Sequence, residues 1–267
     1  MYFYFQIISE LFPNYFQTIS EQFIPIAILH LFPSTGILLV NSTTLAVQGI
    51  LFDLDGTLVN SAPDIGNAAN NMLTTLGIEQ AAPEQIKAWI GNGIPKLVKR
   101  ALTKDFDGEP EARLFKQALP IFMQHYERDV CVDSYMYNGV ADTLKNLHER
   151  GFTLGCVTNK AASCTLPLLN QLEIDHYFTS IVSGDTCEHK KPHPQPILFG
   201  IEEMQLTTKQ CALVGDSAHD LHAAAAAGIP AIAVSYGYNQ GVDLSTESPF
   251  ALVDHFADIQ RYFRQTQ

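Results

Sequence analysis

Acidic residues occur at close spacing directly after two apolar segments of the sequence. Asp53 and Asp55 are separated by a single leucine, and Asp216 and Asp220 follow a later apolar run, four residues apart. Carboxylate oxygens suit Mg²⁺, and a carboxylate can also attack phosphorus to form an aspartyl-phosphate. The pattern predicts metal-assisted phosphoryl chemistry, with Asp53 as the nucleophile and Asp55 as the general acid and base.

Neutral and basic side chains that could hold a phosphoryl group follow other parts of the same pattern. Thr158 and Asn159 come directly after an apolar run, and Lys191 lies in a Lys-Lys-Pro-His-Pro sequence between two further runs. A hydroxyl, an amide and an ammonium group can offset the charge that builds up on phosphoryl oxygens in the transition state. We therefore expect Thr158, Asn159 and Lys191 to bind phosphate beside the carboxylates.

The elements that must position these residues are short apolar runs, most of which are separated by helix-like stretches. The runs are Val47–Phe52, Phe152–Val157, Ser180–Ser183, Ala212–Val214 and Ala231–Val234. Continuous apolar strands that alternate with helices predict a parallel sheet covered on both faces. We predict an α/β fold with a doubly wound, Rossmann-like sheet, in which ligands bind outside the carboxyl ends of the strands.

About a hundred residues between the first and second runs show helical periodicity and no convincing strand. The helical stretches are Ile65–Leu76, Pro83–Ile90, Ile94–Leu102 and Ala112–Asp129. This segment is best explained as an α-helical insert in the α/β core. We predict a core formed by residues 46–64 and 140–267 and a helical insert at residues 65–139.

The composition limits the classes of partner. The net charge is −12 and 16% of the residues are charged, so the Lys/Arg clusters that neutralise a nucleic acid are absent and we expect no nucleic-acid partner. One or two local cations and a metal ion can still bind a small anion. The five cysteines are odd in number and scattered, which indicates a reducing compartment and a cytoplasmic protein.

The first 45 residues are rich in aromatic and apolar side chains and need a separate interpretation. Pro25, Pro33 and Gly36 break the apolar runs before they reach the ~20 residues that a membrane-spanning helix needs. No Lys or Arg occurs before Lys87, which argues against a signal peptide, a transit peptide and a membrane anchor. We expect no membrane association and interpret residues 1–45 as an extension outside the working fold.

The sequence resembles the haloacid dehalogenase superfamily, whose four motifs occur here in order within about residues 47–240. They are Asp53-Leu54-Asp55-Gly56-Thr57, Thr158-Asn159, Lys191-Pro192, and Gly215-Asp216-Ser217 with Asp220. The resemblance implies that Asp53 is the nucleophile and Asp55 the general acid and base. It implies a Mg²⁺ site formed by Asp53, Asp216 and the main-chain carbonyl of Asp55. The helical insert corresponds to the α-helical cap of that superfamily.

A closer resemblance is to the phosphoglycolate phosphatase family. Thr57–Asp64 is similar to that family's hinge into the cap, except that Asn60 stands where the family usually has Asp. Gly91-Asn92-Gly93 resembles a substrate loop of the cap, and Arg100 lies on the helix after it. The resemblance implies hydrolysis of 2-phosphoglycolate to glycolate and phosphate, with this loop and Arg100 near the substrate. It makes Thr57, Ser217 and Asp220 supporting residues, with Asp220 steadying the loop that holds the metal and Lys191.

Other interpretations stay open at this point. A broad-specificity phosphatase for small metabolites such as sugar phosphates fits the same superfamily, as does a phosphosugar mutase. A catalytically inactive binding or regulatory module is the non-enzymatic alternative, which the intact set of Asp53, Asp55 and Asp216 opposes. Arg100 is equally compatible with a salt bridge within its helix. The expected partner is a small phosphorylated metabolite, and the chain is expected to be a monomer or a homodimer.

Overall fold

The computed structural model describes residues 44–266, so the predicted extension at residues 1–45 lies outside the described residues except for its last two. In chain order the elements are β1 (Leu45–Val47), β2 (Gly49–Phe52), β3 (Val59–Asn60), α1 (Ala62–Thr75), α2 (Pro83–Trp89), α3 (Ile94–Thr103), α4 (Ala112–Arg128), β4 (Tyr135–Met136), α5 (Val140–Glu149), β5 (Thr153–Val157), α6 (Ala162–Gln171), β6 (Phe178–Val182), α7 (Gln195–Glu203), β7 (Cys211–Gly215), α8 (Ala218–Ala227), β8 (Ala231–Val234), β9 (Ala251–Val253) and β10 (Phe263–Gln265). Within this part of the chain, no helix has both the length and the hydropathy needed to cross a bilayer.

Six strands form one parallel sheet in the order β6-β5-β2-β7-β8-β9. β2 lies inside this sheet, with Phe52 opposite Cys156 of β5 on one side and Val214 of β7 on the other. Its side chains alternate between two buried apolar clusters, because Ile50 and Phe52 pack into one and Leu51 packs into the other. Apolar packing therefore covers both faces, and the predicted doubly wound α/β sheet is confirmed.

The predicted apolar runs correspond to β2, β5, β6, β7 and β8, but the first run is divided at Gln48. Val47 belongs to β1, which pairs with β10 near the other end of the chain, where Leu45 lies opposite Phe263. The Gln48 amide donates to the carbonyl of Gln210 at 2.7 Å, so the backbone changes its partner at this point. Leu45, the last residue of the predicted extension, is therefore part of the fold.

Four helices, α1 to α4, fill the segment between the short strands β3 and β4, where the sequence predicts a helical insert. The first begins at Ala62, three residues before the predicted boundary, and has Pro63 in its first turn, where a fixed φ and a missing N–H cost nothing. Side chains such as Met72, Ile86 and Phe122 are buried in the larger apolar cluster. We call residues 61–134 the cap segment.

Asp64 joins the two ends of the cap segment. It is buried in the first turn of α1, and its carboxylate accepts the backbone N–H groups of Val132, Asp133 and Ser134 at 2.8–3.1 Å. The Ser134 hydroxyl donates to the same carboxylate at 2.6 Å. Next to this contact, β3 pairs with β4 in antiparallel orientation. The chain therefore enters and leaves the cap segment through two neighbouring strands that are tied together.

Candidate active site

The carboxyl ends of β2, β5 and β7 meet at one edge of the sheet, at a cavity of about 80 Å³. Asp53 follows β2, Thr158 follows β5 and Asp216 follows β7. Sheet hydrogen bonds fix two of these positions. The backbone N–H of Asp53 donates to the carbonyl of Val214, and the backbone N–H of Thr158 donates to the carbonyl of Val182, both at 2.9 Å. The predicted site residues that line the cavity are Asp53, Asp55, Gly91, Gly93, Thr158, Asn159, Lys191, Asp216, Ser217 and Asp220.

Lys191 is the buried cation beside the proposed nucleophile. Its ammonium group donates to Asp53 Oδ1 at 2.7 Å, to Asp220 Oδ1 at 2.6 Å and to the carbonyl of Val157 at 2.7 Å. An ammonium group has three N–H donors, so all three are used. Burial by itself lowers the pKa of Lys191, but the carboxylates of Asp220 and Asp53 outweigh it and raise the pKa above its usual value. Lys191 is therefore a permanent positive charge.

Burial makes negative charge costly for two of the carboxyl groups. It raises the pKa of Asp53 to about 7, an effect that Lys191 opposes and the carboxylate of Asp220 reinforces. Burial also raises the pKa of Asp216 well above its usual value, and repulsion from Asp53 and Asp220 adds to this effect. A cation close to both groups would favour their ionised forms.

The carboxylate of Asp216 is held from two sides. The Thr57 hydroxyl donates to its Oδ1 at 2.8 Å, and the backbone N–H of Tyr238 donates to its Oδ2 at 2.6 Å. Two glycines make this close approach possible. A Cβ on Gly56, whose φ is +93°, would lie 2.3 Å from Oδ2, and a Cβ on Gly237 would lie 2.1 Å from it. Thr57 thus has the geometry of a supporting residue.

Asp220 is oriented by the start of α8. Ser217 precedes this helix, and its hydroxyl and backbone N–H donate to Asp220 Oδ2 at 2.6 and 3.1 Å. This is a capping arrangement, which satisfies donors that a helix start leaves unpaired. The other oxygen of Asp220 accepts from Lys191. The arrangement lets Asp220 hold Lys191 in place, as the resemblance implies.

A metal ion would find a suitable set of oxygen ligands here. Carboxylate oxygens of Asp53, Asp216 and Asp220 lie within 4.8 Å of one another. The cavity is lined by the carboxylates of Asp53, Asp55, Asp216 and Asp220 and by two lysines, Lys160 and Lys191. When all six groups are ionised, they carry two excess negative charges. Hard oxygen ligands and this excess match a divalent cation of the Mg²⁺ type. The residues present therefore fit the metal that the family implies.

The side chain of Asp55 is not part of this cluster of oxygens. It accepts the Ser61 hydroxyl at 2.6 Å and pairs with the Lys160 ammonium at 3.0 and 3.2 Å. Lys160 also donates to the Tyr126 hydroxyl, and its Nζ lies 4.6 Å from the centre of the Tyr126 ring. Tyr126 belongs to α4, so this contact joins the core to the cap segment.

Lys160 and Tyr126 are cavity residues for which the sequence predicted no role. Lys160 directly follows the Thr158-Asn159 motif, and this position was the available signal. Tyr126 gives no comparable signal, because one aromatic residue on an amphipathic helix is usually a core residue. The contact between them spans 34 positions and depends on the cap segment lying over the core.

Asn159 is engaged by the backbone of Lys191. Its Nδ2 donates to the Lys191 carbonyl at 3.0 Å, and its Oδ1 accepts the Lys191 N–H at 2.9 Å. The side chain therefore braces the loop that carries the buried lysine. Thr158 Oγ1 accepts the Lys160 N–H at 3.2 Å and retains its hydrogen for another acceptor. The two neighbours thus differ, with Thr158 better placed than Asn159 to donate to a phosphoryl oxygen.

The loop Gly91-Asn92-Gly93 lies against the core at the cavity. Gln240 donates to Asn92 Oδ1 at 3.0 Å, and Asn92 Nδ2 lies 3.4 Å from Nε2 of His219. Burial lowers the pKa of His219, so its ring is neutral near pH 7 and can accept from the amide. Gly91 has a φ of +119°, and a Cβ there would lie 2.7 Å from the Gln240 side chain. The loop is thus in contact with two core residues.

Arg100 does not line the cavity, so the structure gives no support to the prediction that it contacts substrate. It is 2% exposed, and it donates to the carbonyls of Trp89 and Phe106 at 2.8 Å each. Its guanidinium carbon lies 3.5 Å from the centre of the Phe106 ring. Because its partners are carbonyls and a ring, the alternative of a salt bridge is also not observed among the described residues. Arg100 instead holds parts of the cap segment together.

The fold and this arrangement of carboxylates and lysine define a class of protein. A family model described as "Haloacid dehalogenase-like hydrolase" matches residues 50–234. The chain belongs to this family. The match covers the residues from β2 to β8, including the cap segment and every carboxylate at the cavity.

Individual relatives within this family carry a narrower name. Phosphoglycolate phosphatase of Nitrosospira multiformis is 46% identical over 200 residues, which are 75% of this chain and 88% of the relative. Phosphoglycolate phosphatase of Nitrosococcus oceani is 40% identical over 216 residues, which are 81% of this chain and 96% of the relative. The crystal structure of a predicted phosphoglycolate phosphatase from Haemophilus somnus is 36% identical, has a TM-score of 0.75, and matches over 80% of this chain and 97% of that one.

Proposed function

We propose that this protein is a Mg²⁺-dependent phosphatase that hydrolyses 2-phosphoglycolate to glycolate and phosphate. The observation that carries the proposal is the geometry of Asp53, whose carboxylate is held at a strand end by a fully engaged lysine beside two further carboxylates. Relatives that share 40% or more of the aligned residues are phosphoglycolate phosphatases. The site supports the reaction class, and the relatives support both the reaction class and the substrate.

Asp53 acts as the nucleophile. Lys191 donates to its Oδ1, which leaves Oδ2 to attack phosphorus. A bond forms between Oδ2 and phosphorus while the bond from phosphorus to the glycolate oxygen breaks. Hydrolysis of the resulting aspartyl-phosphate by water then releases phosphate. Lys191, through its positive charge, and Thr158, through its hydroxyl group, stabilise the negative charge on the phosphoryl oxygens.

Asp55 moves the protons. In its protonated form it donates to the oxygen of the departing glycolate, and in its ionised form it then takes a proton from the attacking water. Ser61 and Lys160 fix the orientation of its side chain. A carboxyl group held two residues after the nucleophile can serve both steps because leaving group and water occupy the same side of phosphorus in turn.

Asp53, Asp216 and the main-chain carbonyl of Asp55 would hold Mg²⁺. The ion supplies positive charge to the phosphoryl group and favours the ionised form of the buried nucleophile. Thr57 and Tyr238 keep the Asp216 carboxylate in one orientation. Asp220 lies in the same oxygen cluster but is already bound by Lys191 and Ser217, so we assign it to support.

The cap segment separates the site from bulk water. Its apolar side chains Ile65, Ile90, Ile94 and Leu97 line the cavity opposite the carboxylates. An apolar wall that keeps bulk water out strengthens the charge interactions inside the site. We therefore propose that residues 65–139 act as the cap of the catalytic core.

Phosphate release from a substrate panel tests the function. With Mg²⁺ present, we expect 2-phosphoglycolate to be hydrolysed with a higher kcat/KM than hexose phosphates or glycerol phosphates, and a chelator to stop the reaction. Comparable rates across the panel would favour a broad-specificity phosphatase. Conversion of one hexose phosphate to another without stoichiometric phosphate release would show a mutase. No phosphate release from any member would favour an inactive binding module.

A further inference from the structure

The cavity contains one lysine beyond the one that serves the nucleophile. Lys191 has no donor to spare, because its three N–H groups are used by Asp53, Asp220 and Val157. Lys160 also lines the cavity, and its side chain is 2% exposed. Within residues 44–266 its ammonium group has two partners, Asp55 and Tyr126. The Asp55 contacts involve both oxygens of one carboxylate, which a single bifurcated N–H serves, so one of the three N–H groups of Lys160 is available to a further acceptor.

Tyr126 adds a second donor at the same place. Burial raises the pKa of its phenol well above the usual value, so the hydroxyl keeps its hydrogen. Its oxygen accepts from Lys160, which leaves the O–H to donate elsewhere, and the residue lines the cavity from the cap side. A hydrogen bond accepted from a cation polarises the O–H and strengthens the bond that it donates. Lys160 and Tyr126 thus present two donors and one positive charge.

The other described side chains on the cap side of the cavity carry no positive charge. Ile65, Ile90, Ile94 and Leu97 are apolar, and the nearby His219 is neutral because burial lowers its pKa. A substrate that carries a second negative charge beside its phosphoryl group needs a partner for that charge, since a buried unpaired carboxylate is costly. Among the residues described here, Lys160 is the cation at the cavity that retains a donor.

We propose that Lys160 and Tyr126 together bind the carboxylate of the substrate and so select a short carboxylated phosphomonoester over neutral phosphomonoesters. This assignment rests on the proposed function, which supplies a substrate with a carboxylate. Lys160 bridges Asp55 and the substrate carboxylate, so the group that recognises the substrate touches the group that moves the proton. A neutral phosphomonoester leaves the free N–H of Lys160 without an anionic acceptor, and its binding is weaker for that reason.

The decisive experiment compares two substrates of the same length. In 2-hydroxyethyl phosphate a CH₂OH group replaces the carboxylate of 2-phosphoglycolate. For the wild-type enzyme we expect kcat/KM to favour 2-phosphoglycolate by on the order of 100-fold, the usual scale for losing one partner of a buried charge pair. In Lys160→Met this ratio should fall to less than about tenfold, mainly through a higher KM for 2-phosphoglycolate. Lys145→Met, which removes an exposed lysine of α5, is the control and should keep the wild-type ratio.

A second variant keeps the test valid if Lys160→Met does not fold. Tyr126→Phe retains the ring and loses only the hydroxyl, and we expect it to lower the ratio about threefold to tenfold. Equal losses of kcat for both substrates in the variants would overturn the proposal, since Lys160 would then act only through Asp55. An unchanged ratio in both variants would also overturn it. If the wild-type enzyme shows no preference for 2-phosphoglycolate over the other phosphomonoesters of the substrate panel, the proposed function itself fails. This outcome is seen with the wild-type enzyme alone.

Discussion

The core side of the cavity and its cap side hold their residues in different ways. On the core side, Lys191 uses every donor, and Asp220 and Asp216 each accept hydrogen bonds at both oxygens. On the cap side, most of the wall is apolar side chains, and the polar contacts to the core include those of Ser61, Ile90, Asn92 and Tyr126. The first side is a network of buried charges, and the second is an apolar surface with a few polar contacts.

The difference separates two tasks of the site. Atoms that form and break bonds must stay within a fraction of an ångström of one position, and a fully connected network of buried charges achieves this. A surface that meets the substrate must also admit it, and apolar contacts with few hydrogen bonds separate at lower cost than buried ion pairs do. Changes on the core side should therefore alter chemistry or stability strongly, whereas changes on the cap side should mainly alter binding.

The largest effect is expected at Asp53, the proposed nucleophile. Asp53→Asn keeps the shape of the side chain but removes the charged oxygen that attacks phosphorus, so kcat should fall by at least about 10³-fold. Removing a buried charge should not lower the melting temperature. Phosphate release and thermal unfolding measure the two quantities. Mg²⁺-dependent turnover near the wild-type rate would refute the assignment of Asp53.

The next effect concerns the buried cation. Lys191→Met leaves Asp53 and Asp220 without their shared partner, and the free energy of unfolding should fall by ~3–5 kcal/mol. Lys190→Met is the matched control, because the neighbouring lysine is exposed and its loss should cost less than about 0.5 kcal/mol. Urea unfolding in the absence of Mg²⁺ gives both values. Equal stability of the two variants would contradict the network described for the core side.

A smaller effect is expected where the network supports the proposed metal ligand. Thr57→Val removes the hydroxyl that donates to Asp216, so the Mg²⁺ concentration for half-maximal activity should rise ~10–100-fold. Thr143→Val is the control, since Thr143 is equally buried but its hydroxyl contacts Gln260, outside the cavity lining. The rate of phosphate release, measured as a function of Mg²⁺ concentration, distinguishes the two variants. The same Mg²⁺ requirement in both variants would show that Asp216 does not need Thr57.

The smallest effect is expected on the cap side. Asn92→Ala removes the contacts with Gln240 and His219, and KM should rise about twofold to tenfold while the urea unfolding midpoint stays unchanged. Asn67→Ala, which removes an exposed contact with Asp133 elsewhere in the cap segment, should leave KM as it is. A large loss of kcat in Asn92→Ala would place this loop in the chemistry and weaken the contrast between the two sides.

The core side of the site could be predicted from the sequence because its residues directly follow or lie close to apolar runs. Parallel strands bring their carboxyl ends to one edge, so Asp53, Thr158 and Asp216 had to meet there. Short strands escaped prediction for a related reason. β9 and β10 have three residues each, too few for a periodic pattern, and the pairing of β10 with β1 joins opposite ends of the chain.

The cap side could be predicted less well because sequence does not tell which way a long side chain turns. Arg100 lies in the helix after the predicted substrate loop, yet its donors turn to the carbonyls of Trp89 and Phe106. A charged residue is seldom so fully buried without an acidic partner, and backbone carbonyls supplied the partners in this case. The pairing of Lys160 with Tyr126 likewise depends on how the cap segment packs against the core.

The hydrogen bonds that Asp64 accepts from residues 132–134, together with the pairing of β3 and β4, make this point of the chain an insertion site. Antiparallel partners lie about 5 Å apart at their Cα atoms, so the core closes behind the excursion whatever residues 65–131 contain. The entropy cost of a longer or shorter excursion changes only slowly with its length. The helices between these strands can therefore differ in length without a change in the register of the strands that precede Asp53 and Asp216.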